Sequence, residues 1–488
     1  MKQALIFVHR WLGVALSLLF LLWFPSGFVM MYWDYPSVRP ADRLAHLTPL
    51  DPATIRFSPA EAAAKAELDA PGAVHLTTFA GRPIYRFGGR NSAVVYADTG
   101  EEQIEISQDD VARIAQMWSG QSVKTARVEA VEQADLWTLQ DRIPDLQPLW
   151  KFSWPDGQQL YVSQANGDVI QYTTTSSRLG AYFGAIPHWL YFTPLRRNGP
   201  MWSRVVIWAS GVATFAALLG MIVGVWMYSP SKRYKRGGAP TSIPYSGWKR
   251  WHTIAGLLAG AGAVTWAFSG MLSMEPFPQR EGADRNGPRI FQALRGRALL
   301  DRFAGKDARA ALTELAGLPV KDLEFASIAG EPAYFATIAP GDTRIVPVNG
   351  APSAAVDTGR IIDIVTRVSQ SFGGASVRVV DRYDRYYLDR HHVAPLPVVL
   401  VELNDADHTR YYIDPRSARA VGGYSAASFL DRWLYHGLHS MNFPWLYNYR
   451  PAWDIVVIAF MIGGTALTVT SLLLAWQVLG RKLRLING

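Results

Sequence analysis

The chain has ten histidines and no cysteine, and this sets the terms on which it could do metal or redox chemistry. Without cysteine there are no disulfides, no thiol nucleophile, no iron–sulfur cluster and no covalent c-type haem, which needs Cys-x-x-Cys-His. Imidazole is the best ligand that remains. His9 and His252 both stand in long apolar runs, where an ionisable ring is costly and by default marks a functional site. The two runs also match. Gly13, Trp23, Ser26, Gly27 and Met31 follow His9 at the spacings at which Gly256, Trp266, Ser269, Gly270 and Met274 follow His252.

A second pair comes into register when Trp202, Val205, Val206 and Ile207 are laid on Trp453, Val456, Val457 and Ile458, because His188 then falls on His439. The surroundings are Ile186-Pro-His-Trp-Leu-Tyr-Phe192 and Arg432-Trp-Leu-Tyr-His-Gly-Leu-His-Ser-Met-Asn-Phe443. His436 lies three residues before His439, a spacing that shares one face of an α-helix.

If the helices carrying His9 and His252 pack side by side, two imidazoles at one depth can serve as axial ligands of a b-type haem in the bundle interior. Gly13 and Gly256 would let a flat macrocycle approach the backbone, and Arg10, Lys249 and Arg250 are placed to pair with its propionates. The simpler reading makes each histidine a helix-end residue bonded to a carbonyl or to water. At His188, His436 and His439 three readings stand: a second haem, a Zn or Cu site, and interfacial aromatic-belt residues. Trp, Leu, Tyr and Phe on every side, with no acid among them, favour the large aromatic cofactor. One haem at each face would give electrons a route across the bilayer. Trp23, Trp266 and Trp208 are read as ordinary core or lipid-facing residues.

Four charge-free runs must position these histidines: Trp11 to Trp33, Val205 to Tyr228, Trp251 to Met274 and Ile455 to Gly480. Each has at least the ~20 residues that cross a ~30 Å hydrocarbon core. The loop from Ser229 to Arg250 holds Lys232, Arg233, Lys235, Arg236, Lys249 and Arg250 and no acid, and Arg481, Lys482 and Arg484 close the chain. Basic residues stay on the cytoplasmic side, so both termini and this loop are expected there. Arg196, Arg197 and Arg204 run against that rule, but they flank a long translocated segment, where it is weak. The first run is too long for the h-region of a signal peptide and is expected to be retained. The net charge of +8 is largely that of these basic clusters, which suit anionic lipid headgroups and ask for no nucleic acid.

The expected fold is therefore an α-helical bundle of four transmembrane helices, built by tandem duplication, with two outer α+β domains. The segments are 1–33, 201–228, 251–274 and 451–480 in the membrane, 34–200 and 275–450 outside, and 229–250 and 481–488 in the cytoplasm. In the first outer segment, Ser58 to Leu68 has a Ser N-cap, Pro in the first turn and Glu61 three residues on, a capping box opening a helix. Strands are expected at Pro83 to Phe87, Ala93 to Ala97, Leu149 to Trp154 and Gln159 to Ser163, with counterparts at Pro397 to Leu403 and Thr409 to Ile413. Arg382-Tyr-Asp-Arg-Tyr-Tyr-Leu-Asp-Arg-His391-His392 reads as a solvated strand edge or as a dock for an anionic, oxygen-rich ligand. No dinucleotide or Walker fingerprint is present.

Arg432 to Tyr447, with Arg450-Pro-Ala-Trp-Asp following, closely resembles the PepSY-associated transmembrane family. His9-Arg-Trp-Leu-Gly, Tyr96-Ala-Asp-Thr-Gly100 and Tyr411-Tyr-Ile-Asp-Pro are similar to it as well, so the resemblance covers nearly the whole chain. Members of that family include inner-membrane reductases that release iron from ferric siderophores in the periplasm, with haem in the membrane part. The resemblance implies two PepSY-like periplasmic domains and two haems b. It also implies His9, His252, His188 and His439 as iron ligands, with His436 as a possible replacement for one of the outer pair. A ferric siderophore or other periplasmic acceptor, and a cytoplasmic or quinol donor, would be the partners. The rival reading is a non-redox membrane protein whose PepSY-like domains bind or regulate a periplasmic protein or peptidase.

Overall fold

A computed structural model describes the chain except for residues 69–71, 89–91, 141–147, 278–285, 298 and 487–488, and describes 482–486 as backbone alone. Four helices, Lys2–Met30, Gly199–Met227, Gly247–Leu272 and Ala452–Ile486, are long and apolar enough to cross a membrane. The shortest has 26 residues, about 39 Å at 1.5 Å per residue, more than the ~30 Å of hydrocarbon. They start earlier than the charge-free runs because Lys2, Arg10, Arg204, Lys249, Arg250 and Asp454 lie inside the helix ends. Charges are tolerated there at headgroup depth.

The second helix packs on the third, the third on the fourth, and the first on both the second and the fourth. Phe24, Ala263, Trp266, Trp453 and Val457 are buried between them, while Trp208, Leu258, Ile462 and Trp476 stay exposed, as lipid-facing side chains must. Small residues set the close approaches. A Cβ on Gly463 would stand 2.7 Å from that of Ala259, so the third and fourth helices meet nearly backbone to backbone.

Both long segments fold on one side of the bundle as strands and helices in the same order. The first runs Pro59–Lys65, three strands (Val74–Phe79, Arg82–Phe87, Ala93–Tyr96), Gln108–Ser119, then four strands (Arg127–Val131, Leu149–Ser153, Gln159–Ser163, Val169–Thr173). The second runs Ala308–Glu314, Asp322–Ile328, Glu331–Ala339, Asp342–Pro347, Thr358–Ser369, then Ala375–Val380, Val398–Leu403, Arg410–Asp414 and Arg419–Tyr424. Ser58 and Glu61 close the expected capping box, each accepting the other's backbone N–H, at 3.2 and 2.7 Å.

The two segments are not separate. Val74–Phe79 pairs antiparallel with Asp322–Ile328, Val74 opposite Phe325 and Leu76 opposite Leu323, so the three-stranded units merge into one sheet. Each of those strands would otherwise be an open edge. Leu76, Tyr85 and Val95 share one core with Leu323, Phe325 and Tyr334. On the seam, His75 meets Asp322 at 3.1 Å and Glu324 at 4.0 Å. Glu324 is also paired with Arg295, and with Arg419 at 2.6 Å.

Candidate functional site: two histidine pairs in the bundle

His9 and His252 face each other across the end of the bundle that carries the basic loop, with ring centres 6.2 Å apart. At the domain end, His188 on the short helix Ala185–Trp189 faces His439, with ring centres 6.0 Å apart. A metal–imidazole bond is about 2 Å, and ring bonds near 1.33 Å put each nitrogen roughly 1.1 Å from its ring centre. Two imidazoles on opposite sides of one metal therefore stand about 6 Å apart. Each pair takes one ring from each half of the chain.

The hydrogen bonds of all four rings use Nδ1. His9 Nδ1 lies 3.0 Å from the carbonyl of Ala216, and His188 Nδ1 lies 3.2 Å from that of Trp23 and 3.1 Å from Ser26 Oγ. His439 Nδ1 lies 3.0 Å from Ser269 Oγ, and His252 Nδ1 lies 3.2 Å from Thr470 Oγ1. These hydroxyls have carbonyls to donate to: Ser26 to Trp23 at 3.1 Å, Ser269 to Thr265 at 2.7 Å, and Thr470 to Leu467 at 2.8 Å. Carbonyls only accept, and hydroxyls that donate elsewhere present a lone pair. Each Nδ1 therefore carries the proton, which leaves a bare lone pair on Nε2. Among the described residues no Nε2 of the four has a hydrogen bond. A ligating histidine is held in the same way, its second nitrogen donating to a neighbour that fixes tautomer and orientation.

Each pair lines a cavity of about 280 Å³. The domain-end cavity is walled by aromatic rings, Trp23, Trp189, Tyr191, Trp202, Trp266 and Tyr435. Trp266 is buried and its indole N–H has no partner, so a donor stands ready at that wall. The loop-end cavity is bordered by Gly13, Gly220, Gly256 and Gly260, and Phe20, Phe24 and Ala263 border both cavities. These residues fit a flat, largely apolar group held from two sides. They do not fit a bare ion with three or four protein ligands. Among the described residues no three His, Cys, Asp or Glu converge to hold a metal, so the Zn or Cu reading of the domain-end histidines lacks a donor set.

Three expectations need correction. His436 is not on the same face as His439, because Leu430–Gly437 is a π-helix, whose wider turn breaks the i, i+3 rule of an α-helix. Its ring packs on Tyr435, lies half-exposed 3.6 Å from Asp431, and is absent from the cavity wall. Arg250 turns away from the loop-end cavity and donates to Thr241 Oγ1 at 3.0 Å, whereas Arg10 and Lys249 line it. Arg382 to His392 forms a loop and not a strand edge. Tyr387 stacks on Tyr412 at 4.7 Å. Asp389 is partly buried, yet the N–H groups of His391, Val393 and Ala394 hold its carboxyl below the usual range. Sequence reading missed Gly220, where a Cβ would stand 2.5 Å from His9 Cε1, and the serines as histidine partners. The serines were visible as the repeated Ser26 and Ser269.

Four apolar helices, a β-rich domain side and two facing imidazole pairs describe a membrane protein with a histidine couple at each end of its bundle. The chain belongs to the family described as the PepSY-associated TM region, whose model matches residues 6–477. No curated protein matches it.

Proposed function

We propose that this chain is a di-haem oxidoreductase of a bacterial inner membrane, which passes electrons from a cytoplasmic or quinol donor to a ferric siderophore in the periplasm. His9 with His252, and His188 with His439, would hold two haems b through Nε2. Bound there, haem would supply reversible one-electron chemistry at its iron. Arg10 and Lys249 would meet propionates at the loop end, and Phe20, Phe24 and Ala263 form the wall that the two cavities share. The basic loop supports a cytoplasmic loop end, and the matching order of elements supports a tandem duplication. One electron per ferric ion gives Fe(II), which hard oxygen donors hold far more weakly, so iron is released.

The observation that carries this reading is the pair of matched imidazole couples, each about 6 Å apart and each with Nδ1 tied down. The test is pigment content of the purified protein. Two haems per chain, with a b-type α-band in the reduced-minus-oxidised spectrum, are expected, and His252→Ala should leave one. A colourless protein of full helicity would overturn the reading in favour of a non-redox role for the domains. For the acceptor, anaerobically reduced protein mixed with ferrioxamine B should be reoxidised with release of one ferrozine-trapped Fe(II) per electron. Persistent reduction would exclude that acceptor class.

A further inference from the structure

We propose that a groove in the domains, separate from both histidine pairs, is a binding site for a small aromatic carboxylate. The groove holds about 400 Å³ and lies where Val74–Phe79 meets the residues after helix Pro40–Ala45, the end of helix Gln108–Ser119 and Asp322 of the other half. At roughly 30 Å³ for a water-sized group, that is room for about a dozen heavy atoms.

Charge selects an anion. Of the charged groups on its wall, Arg86 is 3.7 Å from Asp168, and His75 is 3.1 Å from Asp322, so both acids are already engaged. Arg43 also lines the groove, and among the described residues its side chain has no ion pair or hydrogen bond. A cationic ligand would find no unengaged carboxylate, whereas a carboxylate can take the two-pronged donation of the Arg43 guanidinium.

Shape selects a flat ring. His46 lies on the indole of Trp118 with ring centres 4.0 Å apart and planes 6° from parallel. The imidazole is fixed by Nδ1–H donating to the carbonyl of Asp42 at 2.8 Å. Leu47, Phe79 and Ile114 continue this wall without polar atoms. Apolar walls with a few placed polar groups are the usual make-up of a small-molecule site.

The test is titration calorimetry of the full chain in detergent, with 2-naphthoate, its neutral amide 2-naphthamide, and the aliphatic diacid succinate. The expected result is one naphthoate per chain, with the amide at least about tenfold weaker through the loss of one charge-assisted contact and succinate at least about tenfold weaker through the loss of the ring contacts. Arg43→Gln should weaken naphthoate about tenfold and leave the amide unchanged. Because that side chain holds nothing in place, the variant should fold as the parent does. Trp118→Leu should weaken both aromatic probes. No binding, equal affinity for acid and amide, succinate as tight as naphthoate, or an Arg43→Gln variant that binds naphthoate like the parent would each overturn the proposal. The readout is independent of pigment, so it stands or falls apart from the haem assignment.

Discussion

Gly220→Ala tests the loop-end site without touching a histidine. A Cβ at this position would stand 2.5 Å from His9 Cε1, 3.1 Å from Nδ1 and 3.2 Å from Nε2. Carbon contacts settle near 3.5–4.0 Å, so the ring must retreat by roughly 1 Å. Its bond to the Ala216 carbonyl, 3.0 Å long, would be lost, and a metal–nitrogen bond tolerates only about 0.2 Å of error. Alanine also favours a helix over glycine by about 0.8–1 kcal/mol, so the second membrane helix is not weakened by the change. Gly480→Ala gains the same preference, with nothing among the described residues within 4 Å, and serves as the control. Pigment per chain should fall from two haems to one in Gly220→Ala and stay at two in Gly480→Ala. Full pigment with an unaltered spectrum in Gly220→Ala would show that His9 is not a ligand.

His439→Ala should remove the domain-end haem alone, and His436→Ala should remove neither, since its ring faces Asp431; pigment content distinguishes the outcomes. Ser269→Ala takes away the hydroxyl that fixes His439 Nδ1, so haem transfer from this variant to apomyoglobin should be about 10-fold faster or more, and an unchanged rate would deny the serine that role. The seam should respond to pH. Burial lowers the pKa of His75, but Asp322 and Glu324 outweigh it and, against the opposing Arg419, raise it above 6.5. Its contribution is therefore complete below pH 6.5 and fades as pH climbs through the higher folded value. The thermal midpoint of the parent should exceed that of His75→Gln at pH 5.5 and converge with it at alkaline pH; a constant gap would refute the assignment.

The spans and the histidine pairs were legible because a bilayer imposes length and apolarity on sequence, and because the two helices repeat His, Gly, Trp and Ser at fixed spacings. The six strands read from the sequence fall within a residue or so, Gln159–Ser163 as expected and Ala93–Tyr96 one short, whereas Val74–Phe79, Asp322–Ile328 and Glu331–Ala339 were among those not read. The seam between Val74–Phe79 and Asp322–Ile328 was not legible, because strand pairing across distant segments leaves no local pattern. His436 was misread because periodicity was assumed to be α-helical; nothing in Leu430 to Gly437 announces a wider turn. Arg250 was misplaced by two neighbouring basic residues, of which a helix can aim only one at a given wall. Gly220 lies on a helix without a histidine, and only packing shows what its missing side chain permits.

Since each couple draws one imidazole from either half, neither half alone can form either couple. The domain-end couple does not exist until the ribosome has passed His439. The hairpin of Tyr234–Arg236 and Ala239–Thr241, which turns at Gly237 and Gly238, lies far from the merged sheet in sequence. A nick there would leave one particle held by strand pairing and helix packing, so two genes, each encoding a half, could replace the single one.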